Sequence, residues 1–140
     1  MKKALLIGIS FLLLICVGVA AAQSAYPPKG RIYDPATETT ITGKVADVTQ
    51  HTGKGRGTGT HLMVETSAGT VEVHLGPTSY LAAQNASYAK GDQVTVTGSK
   101  VKFGSSEVII AREVKKGDQV LTLRDAQGIP KWSRGRQRPN

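Results

Sequence analysis

The chain has 140 residues, enough for one small domain and too few for two. Its 18 Lys+Arg outnumber 10 Asp+Glu, for a formal net charge of +8. Its one cysteine, Cys16, lies in an apolar amino-terminal run, so a chain cut behind that run has no disulfide, zinc-thiolate or cysteine-nucleophile chemistry.

The first element is "MKKALLIGISFLLLICVGVAAAQ". Lys2 and Lys3 precede an apolar stretch from Ala4 to Val19 and the small residues Ala20, Ala21 and Ala22, the form of a secretory signal peptide over residues 1–22. The expected product is periplasmic or secreted, with no stable membrane insertion after cleavage. Ile15 stands before Cys16, where lipoprotein processing wants a small residue. Loss of Lys2 and Lys3 lowers the net charge by two and leaves it basic.

Residues 23–38, "QSAYPPKGRIYDPATE", carry three prolines and no hydrophobic period, and read as an extended leader. The domain is expected over residues 39–125. In "TTITGKVADVTQ", Ile41, Gly43 and Val45 alternate with polar residues and Val48 breaks the count by one, which predicts a strand with a bulge or bend eased by Gly43. "HTGKGRGTGTH" follows, with a histidine at each end, His51 and His61, and alternating glycines around Lys54 and Arg56. "THLMVETS" then sets Leu62 and Val64 on one face and His61, Met63 and Glu65 on the other. "TVEVHL" likewise sets Val71, Val73 and Leu75 against Thr70, Glu72 and His74.

A two-residue Ala68-Gly69 turn between these strands predicts a register in which Val64 faces Val73 and Leu62 faces Leu75. On the outer face the same register sets Met63 opposite His74 and Glu65 opposite Glu72. Pro77-Thr78-Ser79 then starts a short helix, with Gly91 as a stop signal beyond it. "QVTVTGSKVKF" and "SEVIIAREV" are strands joined at Gly104-Ser105-Ser106, and "QVLTLRD" is a last short strand. The pentapeptide "KGDQV" occurs at residues 90–94 and 116–120, one kind of turn used twice to launch a strand. Residues 126–140 form a basic tail ending in "KWSRGRQRPN".

Three strands, a short helix and two strands, with a bent first strand, is the element order of the OB fold. The expectation is therefore an all-β chain with one short helix, built as an OB-fold-like five-stranded barrel plus a short extra carboxy-terminal strand. The segments "GTHLMVETSAGTVEVHLGPTSYL", "KGDQVTVTGSKV" and "VIIAREVKKGDQVLTLRDAQGIPKWS" resemble a group of small exported bacterial OB-fold-like proteins, some labelled DNA-binding, over roughly residues 37–133. Periplasmic OB-fold copper-binding proteins are a more distant similarity, and imply metal held by His and Met on the barrel wall. Neither resemblance brings a catalytic motif.

Three functions compete. In an OB fold the loop between the first two strands flanks the binding face, so Lys54, Gly55, Arg56 and Gly57 are candidates for contacting an anionic polymer or an envelope protein. The loop lacks the G-x-x-x-x-G-K-[ST] order of a phosphate loop. The leading expectation is an exported, non-catalytic binding or accessory module of the cell envelope, with no resident cofactor. An alternative is copper or another transition metal at His61, Met63 and His74, since imidazole with thioether suits copper. His51 would join if the glycine loop closes as a hairpin. The third, single-stranded nucleic acid, needs aromatic platforms that the outer face of these strands lacks. Enzymatic chemistry has no nucleophile motif to rest on.

Overall fold

A computed structural model describes residues 32–55 and 57–133. The predicted signal peptide, residues 23–31 of the predicted leader, Arg56 and residues 134–140 of the basic tail lie outside these residues. The described residues form six strands: β1 (Glu38–Gly53), β2 (Gly57–Thr66), β3 (Gly69–Pro77), β4 (Gln93–Phe103), β5 (Ser106–Lys116) and β6 (Gln119–Thr122). One short helix, α1 (Thr78–Ala83), separates β3 from β4. No helix among the described residues is long and apolar enough to cross a membrane.

The strands pair in the order β3-β2-β1-β4-β5-β6, antiparallel throughout, and β3 also pairs in parallel with β5. The extra pairing joins Glu72, Val73 and His74 to Val108, Ile109 and Ile110, so that five strands form a ring. The long β1 makes this geometry: its first half pairs with β4 and its second half with β2. The changeover falls at Gly43 and Lys44, and a register shift follows between Val45 and Asp47, where the broken alternation predicts one. Gly43 sits so close to β2 that a Cβ would lie 2.0 Å from the Glu65 carbonyl oxygen.

Alternation along each strand sends one apolar face inward. Val45, Leu62, Val64, Val73, Leu75, Val94, Val96, Ile109 and Val114 are all buried in one cluster, and Leu81 of α1 closes part of it. A second cluster holds Tyr33, Val108 and Ile110. Tyr33 comes from the segment read as an extended leader, yet it is only 4% exposed. Its hydroxyl donates to Glu38 Oε2 at 2.5 Å, and Arg112 Nε and Nη2 donate to the same carboxylate at 2.9 and 2.8 Å. Burial, then the Glu38 carboxylate, pushes the Tyr33 hydroxyl pKa up, while hydrogen bonds from Arg112 and Tyr33 hold Glu38 below the usual carboxylate range.

The register of β2 against β3 differs from the expected one by two residues. Leu62 faces Val73, Val64 faces Val71, Met63 faces Glu72 and Glu65 faces Thr70. The turn residues are Ser67 and Ala68, with Thr66 opposite Gly69. The Thr66 hydroxyl fixes this turn, accepting from the Ala68 N–H at 3.2 Å and donating to the Gly69 carbonyl at 2.8 Å. Such a hydroxyl bridge specifies the turn, whereas the Ala-Gly pair alone did not. Because the slip is even, every side chain stays on its expected face.

Candidate metal centre

The outer face of β2 and β3 carries the site. The register set by the Thr66 turn places His61 directly opposite His74, and shifts only beyond it, between Thr60 and His61; cross-strand neighbours on one face touch. Their rings stack with centroids 3.8 Å apart and planes 16° from parallel. His51 lies on β1 opposite Gly59, while Thr49 is opposite His61, so His51 is a diagonal neighbour of His61. Its ring sits 4.5 Å from that of His61, and Gly59 puts no side chain between them. All three histidines of the sequence therefore meet.

Glu72 ties the cluster together. Its Oε1 lies 2.9 Å from His61 Nδ1 and 3.0 Å from His74 Nε2, so both rings present an N–H to a single carboxylate oxygen. One oxygen of Glu72 and one nitrogen each of His51 and His61 also lie within 4.8 Å of one another. Burial, with help from His74, lowers the His61 pKa and favours the neutral ring that ligation requires. Burial tends to raise the Glu72 carboxyl pKa, but hydrogen bonds from His61 and His74 outweigh it and hold the group below its ordinary value. A tetrahedral ion with bonds of about 2.05 Å sets its ligand atoms roughly 3.3 Å apart, so the His61–Glu72 and His74–Glu72 pairs would need to open by only a few tenths of an ångström, giving up the protons they share.

The cluster borders a cleft of about 620 Å³. Phe103, 56% exposed at the end of β4, stands edge-on to His74 at 5.7 Å, and Ile32 also lines the cleft. Neither residue is marked in the sequence by spacing, since both arrive through tertiary packing.

Of the residues expected to form a metal site, His61 and His74 come together as their shared face implies. Met63 does not face His74: the two-residue slip sets it opposite Glu72, and it forms no wall of the cleft. Glu65 is exposed and faces Thr70 rather than Glu72. The candidate basic loop is a tight turn between β1 and β2, with Lys54, Gly55 and Gly57 exposed. Gly55 and Gly57 adopt φ of +71° and +73°, the left-handed region that side chains disfavour, so this turn needs them. Gly55 and Gly57 also border a surface hollow with Tyr80 and Trp132.

No curated protein matches the chain. A family model matches residues 37–121, which include β1 to β5 and every member of the His51, His61, Glu72 and His74 cluster. The match gives no support to the OB-fold or DNA-binding labels of the resembling proteins. It covers more than half of the sequence, and on it the chain belongs to the MamS/MamX magnetosome protein family.

Proposed function

We propose that this protein is a non-catalytic module that binds one divalent transition-metal ion through His61, His74 and Glu72, with His51 closing the site. The observation that carries this reading is the convergence of every histidine in the sequence, from three successive strands, around one carboxylate. Imidazole and carboxylate suit borderline divalent ions such as Zn²⁺, Fe²⁺, Ni²⁺ or Cu²⁺. With Met63 outside the cleft, the thioether preference for Cu(I) loses its basis.

The ring closed by β3 and β5, with α1 between β3 and β4, supports an OB-like barrel with β6 as an addition. The amino-terminal sequence supports export to the periplasm. The turn holding Lys54, Gly55 and Gly57 ends the same β1–β2 hairpin that carries His51. It is suited to steering an anionic polymer or an envelope protein toward the metal face.

The test is calorimetric titration with Zn²⁺ and Co²⁺, with the visible spectrum of bound cobalt as a report on its ligands. One ion per chain is expected, lost in the His61→Ala/His74→Ala double variant. Equal binding by that folded double variant would remove the reading.

A further inference from the structure

His61 and His74 also wall a second cavity, of about 350 Å³, whose other lining includes Tyr33, Ile110, Ile129 and Arg124. Besides the two imidazoles, Arg124 is the one ionisable cation among the described residues that line this mainly apolar space. Its Nη1 donates to the carbonyls of Leu75 (3.2 Å) and Ala111. The Trp132 ring covers its guanidinium at 4.9 Å. No carboxylate pairs with it among the described residues. Its Nε and Nη2 make no hydrogen bond to a described residue, and neither is sealed from solvent. Burial pushes the guanidinium pKa down to about 10.

A cation partly withdrawn from water without an acid beside it gains most from an anion presented in the plane of its free donors. The surroundings dictate what else that anion must have. Ile110, Ile129 and the Tyr33 ring offer dispersion contacts. At about 30 Å³ per atom the space holds roughly ten non-hydrogen atoms.

The geometry points to a binding site for a small organic carboxylate with an apolar body, its head forked on Arg124 and its body against Ile110 and Ile129. Carboxylate oxygens would accept from Nε–H and Nη2–H, and the imidazoles of His61 and His74 would flank the head. The site shares its His61 and His74 walls with the metal reading but does not rest on it, because Arg124 is no ligand of the ion. Such a carboxylate would give the guanidinium an anionic partner and the apolar walls an apolar body to pack against.

The experiment is an NMR titration of the ¹⁵N-labelled protein, in buffer stripped of metal by resin, with benzoate, its neutral counterpart benzamide, and inorganic phosphate. Benzoate is expected to give saturable shifts at the amides of Ile110, Arg124, Gly128 and Ile129. Benzamide, without the charge, and phosphate, without the apolar body, are expected to bind at least tenfold more weakly. Arg124→Gln should weaken benzoate binding at least tenfold. Since Arg124 also holds two backbone carbonyls, Ile129→Trp provides a second variant that fills the cavity with the guanidinium in place, and it should block benzoate. The proposal is overturned by the absence of saturable shifts, by benzamide or phosphate binding as tightly as benzoate, or by an Ile129→Trp protein with unchanged benzoate affinity. Each of these results leaves the zinc and cobalt titrations standing on their own.

Discussion

Gly43→Ala is the sharpest test of how β1 is shared between two neighbours. The added Cβ would lie 2.0 Å from the Glu65 carbonyl oxygen, 2.8 Å from its carbon and 2.9 Å from Val64 Cγ1. Carbon and oxygen rest no closer than about 3.2 Å, so the β1 and β2 backbones must part by about 1 Å. The obstruction is main chain, which has no alternative rotamer, and Val64 on the far side is completely buried. The cost therefore belongs at the upper end of overpacking penalties, about 3 kcal/mol. For a domain of this size that lowers Tm by roughly 12–24 °C. Far-UV circular dichroism during heating, with urea unfolding to give the free energy, measures it. Gly117→Ala is the control: its φ of +58° strains any side chain, but a Cβ there meets nothing within 4 Å, so its cost is about 1–2 kcal/mol. A Gly43→Ala protein less destabilised than Gly117→Ala would refute the reasoning.

Leu62→Ala removes a fully buried side chain from the centre of the core and should cost about 2–5 kcal/mol, read as a shift in urea midpoint. Glu72→Gln keeps the shape of the site but exchanges the carboxylate for an amide, and zinc affinity by calorimetry should fall by about 10–100-fold or more. Because folding lowers the His61 pKa, the unfolded chain binds the extra proton as pH drops. The His61 contribution to stability is therefore complete above about pH 6.5 and is lost as pH falls through the folded value. Urea midpoints between pH 7.5 and 5 should decline, with a shallower slope in His61→Asn. The lowered carboxyls Glu38, Glu72 and Asp92 add a separate loss at more acid pH, as each falls through its folded pKa.

Period-two alternation was enough to place Leu62, Val64, Val73 and Leu75 inside and His61 and His74 together outside, because it depends only on parity. The partner across the strand depends on the turn, and that was decided by the Thr66 hydroxyl rather than by the Ala-Gly pair. For the same reason the site contains Glu72 and excludes Met63. His51 was legible as the far end of a hairpin, since the positive-φ glycines make the turn tight. Tyr33, Phe103, Arg124 and Trp132 were not. Each meets its neighbours through contacts between segments far apart in the chain, and no local period records those.

The pairing of β3 with β5 also bears on how the end of the sheet meets other chains. Unpaired N–H and C=O groups along a strand edge are templates for a neighbouring chain. Here β5 gives residues 108–110 to β3 and 113–116 to β6 on the same side, which leaves β6, four residues long, at the end of the order. An edge that short holds too few hydrogen bonds to recruit another strand. This end of the sheet is therefore a poor template for a strand of a second copy.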